Sequence, residues 1–83
     1  MKIRVRYFAA VREQLGAGQE IELPPGTTVG GVRQALRALS PQHAEALRRE
    51  LNVRAALDQV LCDDAAVATD GCEVAFFPPV TGG

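Results

Sequence analysis

The chain has 83 residues and a mass of 8.8 kDa, enough for one small hydrophobic core and too short for a second domain. Its formal net charge of −1 gives no electrostatic reason to expect a nucleic-acid ligand. No apolar run approaches the roughly 20 residues of a membrane span, and the first residues begin a strand pattern rather than a signal peptide. We therefore expect one cytoplasmic domain, residues 1–83, that binds neither nucleic acid nor a membrane.

The first quarter of the chain predicts a strand, a short helix and a second strand. Polar and apolar residues alternate over residues 2–8, which places three residues on one buried face: Ile3, Val5 and Tyr7. A helical segment over residues 9–15 is expected to stop at Gly16. Residues 20–23 alternate again before two prolines end the pattern, so the opening unit is a hairpin with a long connection.

Two helices are expected in the middle of the chain. Thr27 or Thr28 caps the first, and its apolar residues recur at helical spacing: Val29, Val32, Leu36 and Leu39. Ser40 and Pro41 start the second, because serine caps helix N-termini and proline suits the first helical position. Its buried face should hold Ala44, Leu47 and Leu51, while its exposed face pairs Glu45 with Arg48 and Arg49.

The last third of the chain predicts three more strands, at residues 53–57, 60–62 and 72–77. A turn at Asp58 and Gln59 separates the first two, and a polar loop ending at Asp70 and Gly71 precedes the third. This order predicts an α+β fold with a five-stranded mixed sheet packed on helices. The compact solution is the β-grasp, or ubiquitin-like, fold, with the first and last strands parallel at the sheet centre. A ferredoxin-like sandwich is the alternative.

Catalysis by side chains finds little support in the sequence. His43 is the only histidine and has no cysteine or carboxylate at a useful spacing, so a surface or capping role is expected. Cys62 and Cys72 lack the paired spacing of a metal site and are expected to be reduced thiols. A disulfide between neighbouring strands and a redox role are the alternatives. We predict no metal site and no permanently bound cofactor.

The most unusual feature of the chain is its C-terminal sequence, FFPPVTGG. Pro78 and Pro79 fix the backbone angle φ and cannot donate ladder hydrogen bonds, so residues 78–83 are expected to leave the sheet as an extended tail. Gly82 and Gly83 add no side-chain bulk, so the terminal carboxylate fits a channel only as wide as the backbone. Activation by ATP to an acyl-adenylate, followed by conversion to a thiocarboxylate, suits such a terminus. A frayed end without a role is the alternative.

The whole sequence resembles the MoaD-type sulfur carriers, which are the small subunits of molybdopterin synthase. The resemblance rests on VRYFA at residues 5–9, VRE at residues 11–13, DG at residues 70–71 and EVAFFPPVTGG at residues 73–83. It implies that an E1-like adenylyltransferase activates Gly83 with ATP and that a sulfur donor protein supplies the sulfur. It also implies transfer to cyclic pyranopterin monophosphate inside the large subunit, in a heterotetramer, with Gly82 and Gly83 as the catalytic residues. Two departures from the family pattern, Asp58 and Cys72, leave the tail intact.

Three large apolar residues predict a partner surface. Strand alternation places Phe8 and Phe77 on the face opposite Ile3, with Leu61 expected beside them. The resemblance implies that the large subunit docks there, with the contact extended by Pro78, Pro79, Val80 and Thr81. The alternative is that the helices cover this face.

Three rival functions are also open. A sulfur carrier for thiazole synthesis has a similar fold and ending, but the length and the PPVTGG terminus disfavour it. A ubiquitin-like modifier joined to targets through Gly83 is a second rival, although Lys2 is the only lysine and polymeric chains are barely possible. A plain interaction module with an inert tail is the third.

Overall fold

The computed structural model describes residues 1–79, in which five strands and three α-helices are formed. The strands are β1 (Lys2–Tyr7), β2 (Gly18–Glu22), β3 (Arg54–Leu57), β4 (Val60–Cys62) and β5 (Glu73–Phe77). The helices are α1 (Ala9–Leu15), α2 (Val29–Arg37) and α3 (Pro41–Ala46), and a 3₁₀ turn (Arg49–Leu51) precedes β3. None of the helices within residues 1–79 has both the length and the apolar character to cross a membrane.

The strands form one mixed sheet in the order β2-β1-β5-β3-β4. The central strands β1 and β5 are parallel, with Val5 opposite Val74 and Tyr7 opposite Phe76, and the other neighbours are antiparallel. Parallel neighbours need a long crossover, which here is the chain from α1 to β4. This topology confirms the predicted β-grasp fold.

The helices pack on one face of the sheet and bury the core there. The predicted face of β1 is confirmed, since Ile3, Val5 and Tyr7 are all at most 2% exposed. Helix α2 and strand β5 supply the residues that meet them: Val29, Val32, Leu36, Val74 and Phe76. Burial of each large apolar side chain adds about 1.5–3 kcal/mol to the free energy of unfolding. The cluster between the sheet and the helices is therefore the main source of stability.

Side-chain caps fix where α2 and α3 begin. The hydroxyl of Thr28 accepts a hydrogen bond from the Gly31 amide at 3.1 Å, which decides between the two predicted threonines. The hydroxyl of Ser40 accepts one from the His43 amide at 3.1 Å, and Pro41 occupies the first turn as predicted. Each cap satisfies an amide that has no partner within its helix.

Several sequence predictions for the middle of the chain were wrong. Helix α2 ends at Arg37, so Leu39 leaves the helical face and is 51% exposed. Helix α3 stops at Ala46, because the backbone becomes extended at Arg48; Ala46 and Leu47 are buried, whereas Ala44 is exposed. Glu45 pairs with Arg48, and within residues 1–79 no ion pair joins it to Arg49.

The strand boundaries also differ slightly from the prediction. Strand β2 runs over Gly18–Glu22 rather than residues 20–23, and β3 and β5 each begin one residue later than expected. The predicted turn between β3 and β4 is formed by Asp58 and Gln59, with φ angles of 47° and 69°. Left-handed angles at two successive residues suit a tight hairpin, because they match the twist of the strands. The Asp58 carboxylate also accepts a hydrogen bond from the Glu73 amide at 2.9 Å, which ties the turn to β5.

Candidate functional site

The sheet face that points away from the helices carries the predicted partner residues. Across this face Arg54 lies opposite Phe77, and Ala56 lies between Leu61 on one side and Ala75 on the other. Phe8 directly follows β1, and its amide donates a hydrogen bond to the Phe76 carbonyl at 3.0 Å, so it continues the pairing with β5. We call Phe8, Ala56, Leu61, Ala75 and Phe77 the outer apolar patch.

The large side chains of the outer apolar patch are accessible. Phe8 is 37% exposed and Leu61 is 58% exposed, while Phe77 is half-buried. The alternative that helices cover this face is therefore wrong, since they all pack on the opposite side. Large apolar residues grouped on an outer sheet face mark a surface suited to a partner.

Basic side chains border the outer apolar patch. The Arg6 guanidinium carbon lies 5.4 Å from the centre of the Phe8 ring, a cation–π arrangement. Arg6 also lies 3.8 Å from the Glu73 carboxylate, and Arg54 is exposed at the start of β3. A charged rim around an apolar centre favours a partner with acidic groups at matching positions.

The base of the C-terminal tail lies beside this patch. Strand β5 ends at Phe77, and the next two residues, Pro78 and Pro79, are half-buried outside the sheet. Pro78 lines a cavity of about 90 Å³ together with Val11, Ala46 and Leu51. Pro78 therefore lies beside α1 and the end of α3. The other residues predicted for the tail lie outside the described residues: Val80, Thr81, Gly82 and Gly83.

His43 was predicted to have a surface or capping role, but it is half-buried and its ring bridges two elements of the fold. Its Nδ1 lies 2.7 Å from the Ser40 hydroxyl, and its Nε2 lies 2.9 Å from the side-chain oxygen of Gln19. The Tyr7 hydroxyl donates to the same oxygen at 2.8 Å. These bonds tie α3 to β1 and β2. Burial raises the pKa of Tyr7 to about 12.

The two cysteines are free thiols, so the alternative of a disulfide between them is wrong. Cys72 is 3% exposed and packs in the core as a small apolar residue. Cys62 is half-buried, and burial together with the Asp63 carboxylate raises the pKa of its thiol. A protonated thiol is a poor nucleophile and a poor metal ligand. Residues 1–79 also contain no cluster of three or more histidine, cysteine or acidic residues able to hold a metal ion.

A feature that the sequence analysis missed is a cavity lined by five arginines between α2 and the segments around β3 and β4. Two pairs of arginines in the sequence indicate part of this lining. Arg33 and Arg37 are four residues apart on α2, and Arg48 and Arg49 are adjacent just before β3. Residues four apart share one helix face. The contribution of residues from distant parts of the chain required the tertiary structure.

Comparison with known proteins gives a consistent assignment. Residues 5–83 match the model of the ThiS family. The chain is 43% identical over 81 residues to the molybdopterin synthase sulfur carrier subunit of Escherichia coli (strain K12). The aligned region covers 98% of this chain and 99% of that relative.

Two solved structures share the fold. SAMP1 from Haloferax volcanii superimposes with a TM-score of 0.79 at 22% identity over the full length of both chains. A chain in the complex of subunits 1 and 2 of the molybdopterin-converting factor from Helicobacter pylori has a TM-score of 0.68 and 26% identity, also over the full length of both. The family model and the identity to the Escherichia coli relative cover nearly the whole sequence. The chain therefore belongs to the ThiS family, together with the molybdopterin synthase sulfur carrier subunits.

Proposed function

We propose that this chain carries sulfur on Gly83 for the synthesis of molybdopterin. An E1-like adenylyltransferase joins the terminal carboxylate to AMP from ATP and releases pyrophosphate. Sulfur at the oxidation level of sulfide, delivered by a donor protein, then displaces AMP and leaves a thiocarboxylate. The large subunit uses this thiocarboxylate to transfer sulfur to cyclic pyranopterin monophosphate, and two loaded carriers complete one dithiolene.

The observation that carries this proposal is the position of the tail base. Residues 78–83 follow β5, a central strand of the sheet, and Pro78 packs against the helical side of the domain. The tail therefore begins at a central strand that the core holds in place. Pro78 and Pro79 cannot donate ladder hydrogen bonds, and strand β5 accordingly ends at Phe77.

The outer apolar patch is the docking surface in this proposal. Phe8, Leu61 and Phe77 bind the large subunit, and Pro78 and Pro79 continue the contact toward its active site. The solved relative from Helicobacter pylori is a complex of subunits 1 and 2 of the molybdopterin-converting factor, which supports a large-subunit partner. Two copies of each subunit then form the heterotetramer.

The match to the Escherichia coli carrier subunit favours this function over the rivals. It extends over 98% of the chain, and the ThiS family model matches residues 5–83, which include the tail. The likeness to SAMP1, at 22% identity, concerns the fold and does not favour a modifier function. Lys2 as the only lysine also makes chains of linked copies difficult to form.

Reconstitution tests the proposed function. The full chain is mixed with the large subunit, the activating enzyme, ATP, a sulfur source and cyclic pyranopterin monophosphate, and molybdopterin is measured. We expect product with the native chain and none when Gly83 is deleted, although the deleted chain still binds the large subunit. Equal product from both chains would contradict the role of Gly83.

A further inference from the structure

The arginine-lined cavity has a volume of about 420 Å³. Small-molecule sites usually occupy about 300–1,000 Å³. Its lining includes five arginines, Arg33, Arg37, Arg48, Arg49 and Arg54, and two aspartates, Asp63 and Asp64, which give a formal charge of +3. The whole chain has a formal net charge of −1, so this concentration of positive charge is local.

Arg33 is built into the wall of the cavity. It is 9% exposed, and its guanidinium donates to the Val53 carbonyl at 2.6 Å and to the Asp64 carboxylate at 2.9 Å. The guanidinium also stacks 5.2 Å from the centre of the Phe76 ring. Its Nε is buried and has no hydrogen-bond partner within the described part of the chain. The side chain is therefore held rigidly while one donor stays unsatisfied.

Three other arginines of the cavity are not paired with a carboxylate within residues 1–79. Arg37 donates from Nε to the Leu47 carbonyl at 2.8 Å, which ties its side chain to the end of α3. Arg48, by contrast, is occupied by Glu45 and Glu50. Arg37, Arg49 and Arg54 form no ion pair with any carboxylate in residues 1–79. Like charges gathered in a concave surface attract anions strongly, because the low-dielectric walls focus the field.

We infer that this cavity binds a small anion that carries at least two phosphate groups. Guanidinium groups recognise phosphate oxygens through paired hydrogen bonds, and several of them are needed to balance two adjacent phosphates. Arg33 and Arg37 lie on the same face of α2, and Arg49 faces the cavity from the opposite segment, before β3. Arginines therefore surround a ligand in the cavity from two sides.

A compact anion fits this cavity better than an extended acidic peptide. A neighbouring cavity of about 530 Å³ shares Arg33, Arg37 and Arg49 with the first one, and Asp64 lines both. A peptide lying along both cavities would have to pass the Asp64 carboxylate, which repels acidic side chains. Asp63 and Asp64 also line the first cavity, but there Arg33 pairs with Asp64 at 2.9 Å and the arginines outnumber the two aspartates. Arg54 borders both this cavity and the outer apolar patch, but the site uses neither Gly83 nor the apolar side chains of the patch, so a substitution at Arg49 tests it separately from sulfur transfer.

The test is a titration of the isotopically labelled full chain with pyrophosphate at constant ionic strength, followed by amide NMR. We expect saturable shifts confined to the residues around the cavity, and weaker shifts with monophosphate. Arg49→Gln should weaken pyrophosphate binding by about tenfold, as expected for the loss of one charge-assisted contact. Arg12→Gln is the matched control, because Arg12 is exposed on α1 and lines neither cavity.

Several results would overturn the inference. One is the absence of saturable shifts with the native chain, which does not depend on whether any variant folds. Another is equal weakening by Arg12→Gln and Arg49→Gln, which would mean that only overall charge matters. A third is tighter binding of a pentaglutamate peptide than of pyrophosphate, which would make the cavity a docking site for an acidic protein segment. Equal affinity for monophosphate would contradict the requirement for two phosphate groups.

Discussion

Phe76 and Phe77 are neighbours on β5 and serve opposite faces of the sheet. The Phe76 side chain is fully buried, and its ring centre lies 6.5 Å from that of Tyr7. Phe77 is half-buried on the outer face, opposite Arg54 of β3. One strand therefore holds the core together, contributes to the outer apolar patch and leads into the tail.

Alanine substitution should separate these two roles. Phe76→Ala removes a fully buried ring, so we expect the free energy of unfolding to fall by about 3–5 kcal/mol. Phe77→Ala should lower it by no more than about 1 kcal/mol but weaken binding of the large subunit by at least about tenfold. Urea unfolding and calorimetric titration measure the two effects. Unchanged affinity for Phe77→Ala would remove Phe77 from the docking surface.

Strand β4 offers a matched pair of exposed aliphatic residues. Val60 and Leu61 are 67% and 58% exposed, but they are adjacent in the strand and so point to opposite faces. We expect Leu61→Ala to weaken large-subunit binding and Val60→Ala to leave it unchanged, with both variants as stable as the native chain within about 1 kcal/mol. Equal losses of affinity would show that the contact does not depend on the outer face.

The raised pKa of Tyr7 predicts a loss of stability at alkaline pH. The pKa of Tyr7 is about 12 in the folded chain, whereas in the unfolded chain it is the usual tyrosine pKa of 10.0. Above pH 10.0 the unfolded state therefore binds fewer protons, and stability must fall as the pH rises toward 12. A difference of two pKa units between the folded and unfolded chains corresponds to a loss of about 2–3 kcal/mol in the free energy of unfolding.

Tyr7→Phe is the variant that isolates this effect. It removes the titrating hydroxyl and its hydrogen bond to Gln19, so it should be less stable at neutral pH by about 1 kcal/mol. The stability difference between the native chain and Tyr7→Phe should shrink or reverse above pH 10. Urea unfolding at several pH values measures it. A difference that stays constant across this range would mean that Tyr7 titrates normally.

Gly18 is required where β2 meets β1. A Cβ at this position would collide with the Val5 carbonyl oxygen, which is backbone and cannot rotate away. We expect Gly18→Ala to lower the free energy of unfolding by about 1–3 kcal/mol. Glu20→Ala, at an exposed position of the same strand, should change it by less than about 0.5 kcal/mol. Thermal or urea unfolding distinguishes them, and a fully stable Gly18→Ala would show that β2 shifts freely.

The parts of the fold that local chemistry controls were predictable from the sequence. Alternation in β1 gave the buried face correctly, because side chains on a strand alternate between the two sides of a sheet. The cap at Ser40 was also predictable, since its hydroxyl bonds the amide three residues further on. The turn at Asp58 was predictable because aspartate tolerates a left-handed backbone. Phe8, Leu61 and Phe77 were placed on one face by the same reasoning.

Two features depend on tertiary contacts and could not be predicted from the sequence: the exposure of Leu39 and the arginine cavity. Helical spacing favoured burial of Leu39, but α2 ends two residues earlier and the chain turns toward α3. The arginine cavity joins residues from α2, the segment before β3 and the end of β4. No local pattern brings those segments together, so only the folded chain reveals their combined charge.

The central claim is that Gly83 carries sulfur, and the intact mass of the protein tests it most directly. The native chain is incubated with the activating enzyme, ATP and a sulfur source, and its mass is compared with that of a chain lacking Gly83. We predict that the native chain gains the difference between one sulfur and one oxygen atom and that the shortened chain gains nothing. An unchanged native mass, with an enzyme that loads a known carrier under the same conditions, would contradict the account.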